Sequence, residues 1–182
     1  FISSILLIFL SFISNYGNRV TKSKMLNMLN TFSVSGYAIP GIILAVAFIT
    51  FISWFDNNII SFFGFKTIKS IFIGSVLGLI LVYFIRFYSL ASNGIKSGYL
   101  KINYSIDESA YLLGYSKFKT FTNIHIPYLK NSMMLVGVLI AIEVIKELPI
   151  TLIMRPFNFE TFATTAYIFA SQDLLEAAAA PS

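Results

Sequence analysis

Residues 105–127 read SIDESAYLLGYSKFKTFTNIHIP, and this stretch decides how the chain on either side of it is organised. Ser105 and Glu108 have capping-box spacing: the serine hydroxyl accepts from the third amide, and the carboxylate reaches back to the cap's own N–H. The apolar run from Ala110 to Leu113 ends at Gly114, a residue that enters the left-handed conformation closing a helix without steric cost. Ser116 is placed to cap a second helix. Pro127 limits that helix, because proline lacks an N–H and disfavours helical geometry in the residue before it. The expectation is therefore helix, tight glycine turn, short helix. The whole stretch 86–130 exceeds the roughly 15 residues beyond which a structureless connection is uncommon, so it is read as a folded device.

Outward from this centre the chain turns apolar on both sides. Residues 70–85 are uncharged, and Arg86 is placed to snorkel from the end of a span reaching about residue 91. Gly74 and Gly78 are four apart, a spacing that permits close helix packing but is read here as incidental. A second span is expected over 131–154; its first half is purely apolar, and its second carries Glu143, Lys146, Glu147 and Pro149. Further out, 36–55 is free of charge, and at 1.5 Å per residue it matches the ~30 Å hydrocarbon layer. Pro40 falls in the first turns of that span, and Trp54 with Phe55 suits an interfacial belt. The initial run 1–13 is too short to cross and is read as the tail of a fourth helix. The expected fold class is all-α: a polytopic membrane helix bundle, read as one domain over 1–182 truncated at both ends, with 105–127 expected as a cytoplasmic loop inside it.

Composition agrees. The 182 residues are 57% hydrophobic and 12% charged, with 19 Phe and 10 Tyr, about half the charge of a soluble domain and too much apolar surface for disorder. With no Cys and one His there is no disulfide framework, thiolate nucleophile or zinc cage. The net charge of +5 is topological. Arg19, Lys22 and Lys24 fall in 15–35, and Arg86, Lys96, Lys101, Lys117, Lys119 and Lys130 in 86–130, whereas 156–182 has no base. The positive-inside rule places the basic segments on the cytoplasmic side of a multi-pass membrane protein. The bilayer is thus a partner, and nucleic acid is not.

Glu108-Ser109-Ala110, Gly114 and Ile124 to Pro127, in this spacing, resemble the EAA loop of ABC-transporter permeases of the type I importer class, with Ser109 for the usual Ala and Ile126 for the usual Leu. The resemblance continues through Gly36 to Gly41, Lys146-Glu147-Leu148-Pro149 and Arg155 to Thr161, which look like ferric-iron permeases of the Fbp and Sfu kind and, more weakly, their thiamine-transport relatives. It covers nearly the whole chain, as the C-terminal half of a two-halved permease. It implies that Glu108, Ser109, Ala110, Gly114, Ile124, Ile126 and Pro127 couple the membrane helices to a separate ATP-binding subunit. It also implies a solute-binding protein outside and a second permease half or copy. No GxxxxGK[ST] loop is present, so the chain is not expected to be an enzyme or to bind ATP or another cofactor itself.

Glu143, Lys146 and Glu147, spaced i, i+3, i+4, share one face of a continuous helix and are pathway candidates, because membrane-depth charge is costly unless paired or wetted. The plainer reading is a packing salt bridge. Pro149 would kink that helix and serve gating. The acidic, aromatic segment 156–182 is expected to hold an external amphipathic helix, with Phe159, Glu160 and Tyr167 candidates for docking the binding protein. His125 reads as an interface hydrogen-bonder, and no metal-ligating set is assigned. Two other classes stay open: an ion-coupled secondary transporter using Glu143, Lys146 and Glu147, and a non-transporting membrane scaffold. Thiamine, phosphonate, polyamine and sulfate remain alternative cargoes.

Overall fold

Short polar caps, glycines and prolines set the element boundaries. The computed structural model describes residues 2–21, 24–63, 72–179 and 181. Its helices are α1 (Ile2–Thr21), α2 (Lys24–Ala38), α3 (Gly41–Phe63), α4 (Val76–Tyr99), α5 (Tyr104–Leu112), α6 (Lys117–Thr120), a π-helical segment (Phe121–His125), α7 (Ile126–Lys146), α8 (Pro149–Met154), α9 (Phe162–Ser171) and α10 (Leu175–Ala178). No strand occurs among the described residues. Gly41–Asn58, Val76–Tyr99 and Lys117–Lys146 are each long and apolar enough to cross a membrane.

Several boundaries differ from the sequence reading. Residues 15–35 were expected to be loop, but α1 runs on to Thr21 and α2 occupies Lys24–Ala38. The first complete span begins at Gly41, not 36. Pro40 disfavours helix at Ile39, and its carbonyl takes the first bond of α3, from the Leu44 amide at 3.1 Å. The next span starts at Val76 and reaches Tyr99, and Ser75 caps it by accepting from the Gly78 amide at 3.1 Å. Gly74 is left-handed at φ +67, and a Cβ on Gly78 would lie 2.2 Å from the Phe72 carbonyl oxygen. That pair therefore serves the turn before α4, not a helix seam. Residues 70–71, expected to open the span, lie outside the described residues.

The central stretch also differs in detail. Asn103, not Ser105, caps α5: its Oδ1 accepts from the Ser105 amide at 3.3 Å, so the Ser105–Glu108 capping box does not form. Ser116 does cap α6, accepting from the Lys119 amide. Pro127 does not stop the second helix, which continues from Lys117 to Lys146. A regular α-helix would drive the proline ring into the carbonyl four residues back; the wider π turn at Phe121–His125, where the Ile126 amide bonds the Phe121 carbonyl, immediately precedes it.

The chain forms two compact units, 1–37 with 87–141 and 38–86 with 142–182. In the first, Phe12, Ile95, Tyr99, Ile102 and Leu129 form the buried core, with Tyr16, Ile106, Phe121, Met133 and Val136 packed on it. Here lies the real glycine seam. A Cβ on Gly94 would meet Val136 at 2.5 Å, one on Gly98 would meet Leu129 at 2.9 Å, and one on Gly137 would meet Ile8 at 2.8 Å. Small residues let α1, α4 and α7 approach closely. Helix α1 buries Ser3, Ser4, Ser11 and Asn15 beside Leu7 and Phe12, while Ile5, Leu6, Phe9, Leu10 and Ile13 are exposed. An apolar exterior over a mixed interior suits a lipid solvent. In the second unit, α3 packs against α8, with Leu44, Ala45, Phe48 and Ile52 buried along one face. Asp56, expected just beyond the span, lies inside α3, is buried and accepts from the Phe72 amide at 3.0 Å.

Candidate functional site

The glycine turn forms as its sequence requires. Gly114 is left-handed at φ +81. Its amide bonds the Tyr111 carbonyl at 3.0 Å, and the Tyr115 amide bonds the Ala110 carbonyl at 3.0 Å, the paired bonds of a Schellman ending. This turn joins α5 to α6 as a helical hairpin that leaves Leu112 89%, Leu113 79% and Phe118 75% exposed.

The hairpin's base is fixed by a polar cluster that sequence reasoning missed. Asp107 is buried, with Oδ2 2.7 Å from Arg19 Nε and Oδ1 2.9 Å from Nε2 of the wholly buried His125. The Arg19 guanidinium also donates to the carbonyls of Ile102 at 3.0 Å and Asn103 at 3.1 Å, and lies 4.2 Å from the Tyr104 ring centroid. One carboxylate thus ties α5 to α1 and to the π segment. The available signal was Asp107 itself, an acid whose cation lies 88 residues away; Arg19 had been read only as a topological charge.

The seven coupling candidates divide. Ser109, Ala110 and Ile124 line one shallow cavity of about 300 Å³ with Ser105, Ile106, Leu113 and Tyr115. Glu108 is exposed beside them, and the Ser109 hydroxyl donates back to the Ser105 carbonyl at 2.8 Å. A Cβ on Gly114 would meet nothing within 4 Å. Ile126 and Pro127 sit exposed at the start of α7.

In the second unit the charged trio is split. Helix α7 ends at Lys146, Glu147 and Leu148 are non-helical, and Pro149 is the first residue of α8. Pro149 therefore opens a new helix and does not kink a continuous one, and the shared helical face expected for Glu147 is lost. Lys146 pairs with Glu143 at 2.9 Å in an exposed position. Glu147 is buried, its Oε2 3.0 Å from Arg86 Nε, and its Oε1 accepts from the Ile150 amide at 3.4 Å. Arg86 does not snorkel from a helix end; it lies within α4 and donates to the Ile39 carbonyl at 2.8 Å. A Cβ on Gly41 would come within 2.8 Å of Glu147 Oε1 and 3.5 Å of Arg86 Cζ. Thr151 donates to the Glu147 carbonyl and shares a hydrogen bond with Tyr83. Three distant stretches, 39–41, 86 and 147–151, converge on one buried ion pair.

Beyond it, Glu160 pairs with Arg155 and accepts from the Thr164 hydroxyl at 2.9 Å. A helix does form here, α9, opened by a Thr161–Thr164 capping box, but it is apolar along its length and not amphipathic as expected. Tyr167 is half exposed beside an apolar groove with Leu148, Ala163 and Ala166, while Phe159 is partly buried and Phe157 fully exposed.

No family model and no curated protein matches the chain. Among solved structures, a bacterial ABC transporter involved in import of the acidic polysaccharide alginate has a chain that superposes with a TM-score of 0.69 at 17% identity, over 98% of this chain and 70% of that one. The protein is therefore an all-α polytopic bundle that shares the fold of that transporter's chain. At that identity the likeness is one of fold, and alginate is what the neighbour carries.

Proposed function

We propose that the chain is a membrane-spanning permease subunit of an ATP-driven importer in the bacterial cytoplasmic membrane, joined through 105–127 to separate ATP-binding subunits. The observation that carries this reading is the hairpin. A soluble loop would bury Leu112, Leu113 and Phe118; here they stand free on a pair of helices whose other end is anchored by Asp107. Each such side chain gains about 1.5–3 kcal/mol on full burial, so together they suit a protein partner. ATP-driven closure of that partner moves the hairpin, and the Asp107 cluster passes the movement to α1 and α7. The Arg86–Glu147 pair is assigned to the gate, since a buried ion pair at a helix break holds one arrangement firmly and is costly to half-open.

Ferric iron is the proposed cargo, on the strength of the motifs at 36–41, 146–149 and 155–161. A solute-binding protein delivers it to the face bearing Phe159, Glu160 and Tyr167, and a second permease half or copy completes the path. The test uses the full-length protein purified from native membranes. Leu112→Ser with Leu113→Ser is expected to release a co-purifying ATPase while leaving the permease folded; undiminished ATPase recovery rejects the coupling assignment. Uptake of labelled ferric iron, competed separately with thiamine, phosphonate, polyamine and sulfate, decides the cargo. Transport of one competitor in place of iron replaces that assignment without touching the coupling one.

A further inference from the structure

The first unit also contains a polar cavity of about 590 Å³, lined by the last turns of α1 and α4 and the segment entering α5. Among the described residues no Asp or Glu lines it, while Arg19, Lys96 and Lys101 do. Arg19 is compensated by Asp107. Lys96 and Lys101 have no carboxylate within ion-pair distance among the described residues. Leu100, on the same wall, is 81% exposed.

These features specify an amphiphile. Two uncompensated ammonium groups beside Arg19 call for an anion with several oxygens. Exposed Leu100, at the end of an apolar membrane-length helix, provides a surface for hydrocarbon. We propose that this cavity binds a phosphate diester, the headgroup of an anionic phospholipid. Basic pockets between membrane helices suit such headgroups, and the attraction fades within a Debye length. The proposal does not rest on the transport reading.

The full-length protein, extracted in mild detergent and incubated with equal phosphatidylglycerol and phosphatidylcholine, is examined by native mass spectrometry. Wild type is expected to retain phosphatidylglycerol preferentially. Each lysine near the surface contributes roughly fivefold, so Lys96→Gln with Lys101→Gln should reduce that preference by up to about 25-fold. Lys96→Arg with Lys101→Arg should keep it, as should Lys119→Gln with Lys130→Gln, which removes the same charge elsewhere on the same unit. A second arm measures the melting temperature in detergent with glycerol 3-phosphate or inorganic phosphate. A rise in wild type that the Gln pair abolishes, without lipid preference, supports the same phosphate site with a soluble source. Equal retention in wild type and the Gln pair, with no phosphate-dependent melting shift, overturns the proposal. So does loss in the control pair equal to that in the Gln pair.

Discussion

Asp107 shows how much one side chain can carry. It is the only carboxylate within reach of Arg19 among the described residues, and both are largely shielded from water. Removing one member of a buried pair leaves the other charge uncompensated, at a cost of about 3–5 kcal/mol. Asp107→Ala is accordingly expected to lower stability in denaturant titrations of the solubilised protein by that amount. The double change Arg19→Met, Asp107→Leu should recover most of the loss, and a double variant no better than the single one would show that the pair is not coupled. Gly94 makes a second case. A methyl there would overlap Val136, so Gly94→Ala should cost about 1–3 kcal/mol, as overpacked cores do, with Val136→Ala restoring much of it in the same titration.

At the scale of elements, the turn and the wide helical segment have separable duties. Gly114 has open space around it and a positive φ, so Gly114→Val costs only left-handed strain, about 1–2 kcal/mol. The hairpin angle changes while the core stays intact. The expected outcome is continued ATP hydrolysis with little cargo moved, read as the ratio of the two in proteoliposomes; an unchanged ratio removes Gly114 from coupling. The segment Phe121–His125 is a π turn, a form often found at functional positions. Pro127→Ala removes the steric reason for it, and relaxing a π turn to α register rotates everything before it by about 100° about the axis. His125 would then leave Asp107. A double-mutant cycle of His125→Ala and Asp107→Asn in denaturant titrations tests this: coupled in the parent, additive once Pro127 is replaced.

For the molecule as a whole, the energy source is the sharpest discriminator. Uptake by the intact assembly is expected to cease when the ATP-binding partner is deleted and to persist when a protonophore collapses the gradient; the reverse pattern describes a secondary transporter using Glu143, Lys146 and Glu147. Much was legible in the chain alone. Uncharged runs of bilayer length, the basic bias of 86–130, the left-handed Gly114 and the Ser116 cap are local properties, fixed by transfer free energy and backbone sterics over a few residues. The break at 147–148 was half visible, as a proline taken for a kink. What stayed hidden was every partner far along the chain: Arg19 with Asp107, Arg86 with Glu147, and Gly94 against Val136. Membrane burial makes charged side chains seek counter-charges and lets backbones close on small residues, but which charge and which backbone meet is decided by helix packing. Local sequence therefore determined that this chain is helical, with spans of membrane length around a glycine-turned hairpin, and only the tertiary structure decided which buried ions hold it together.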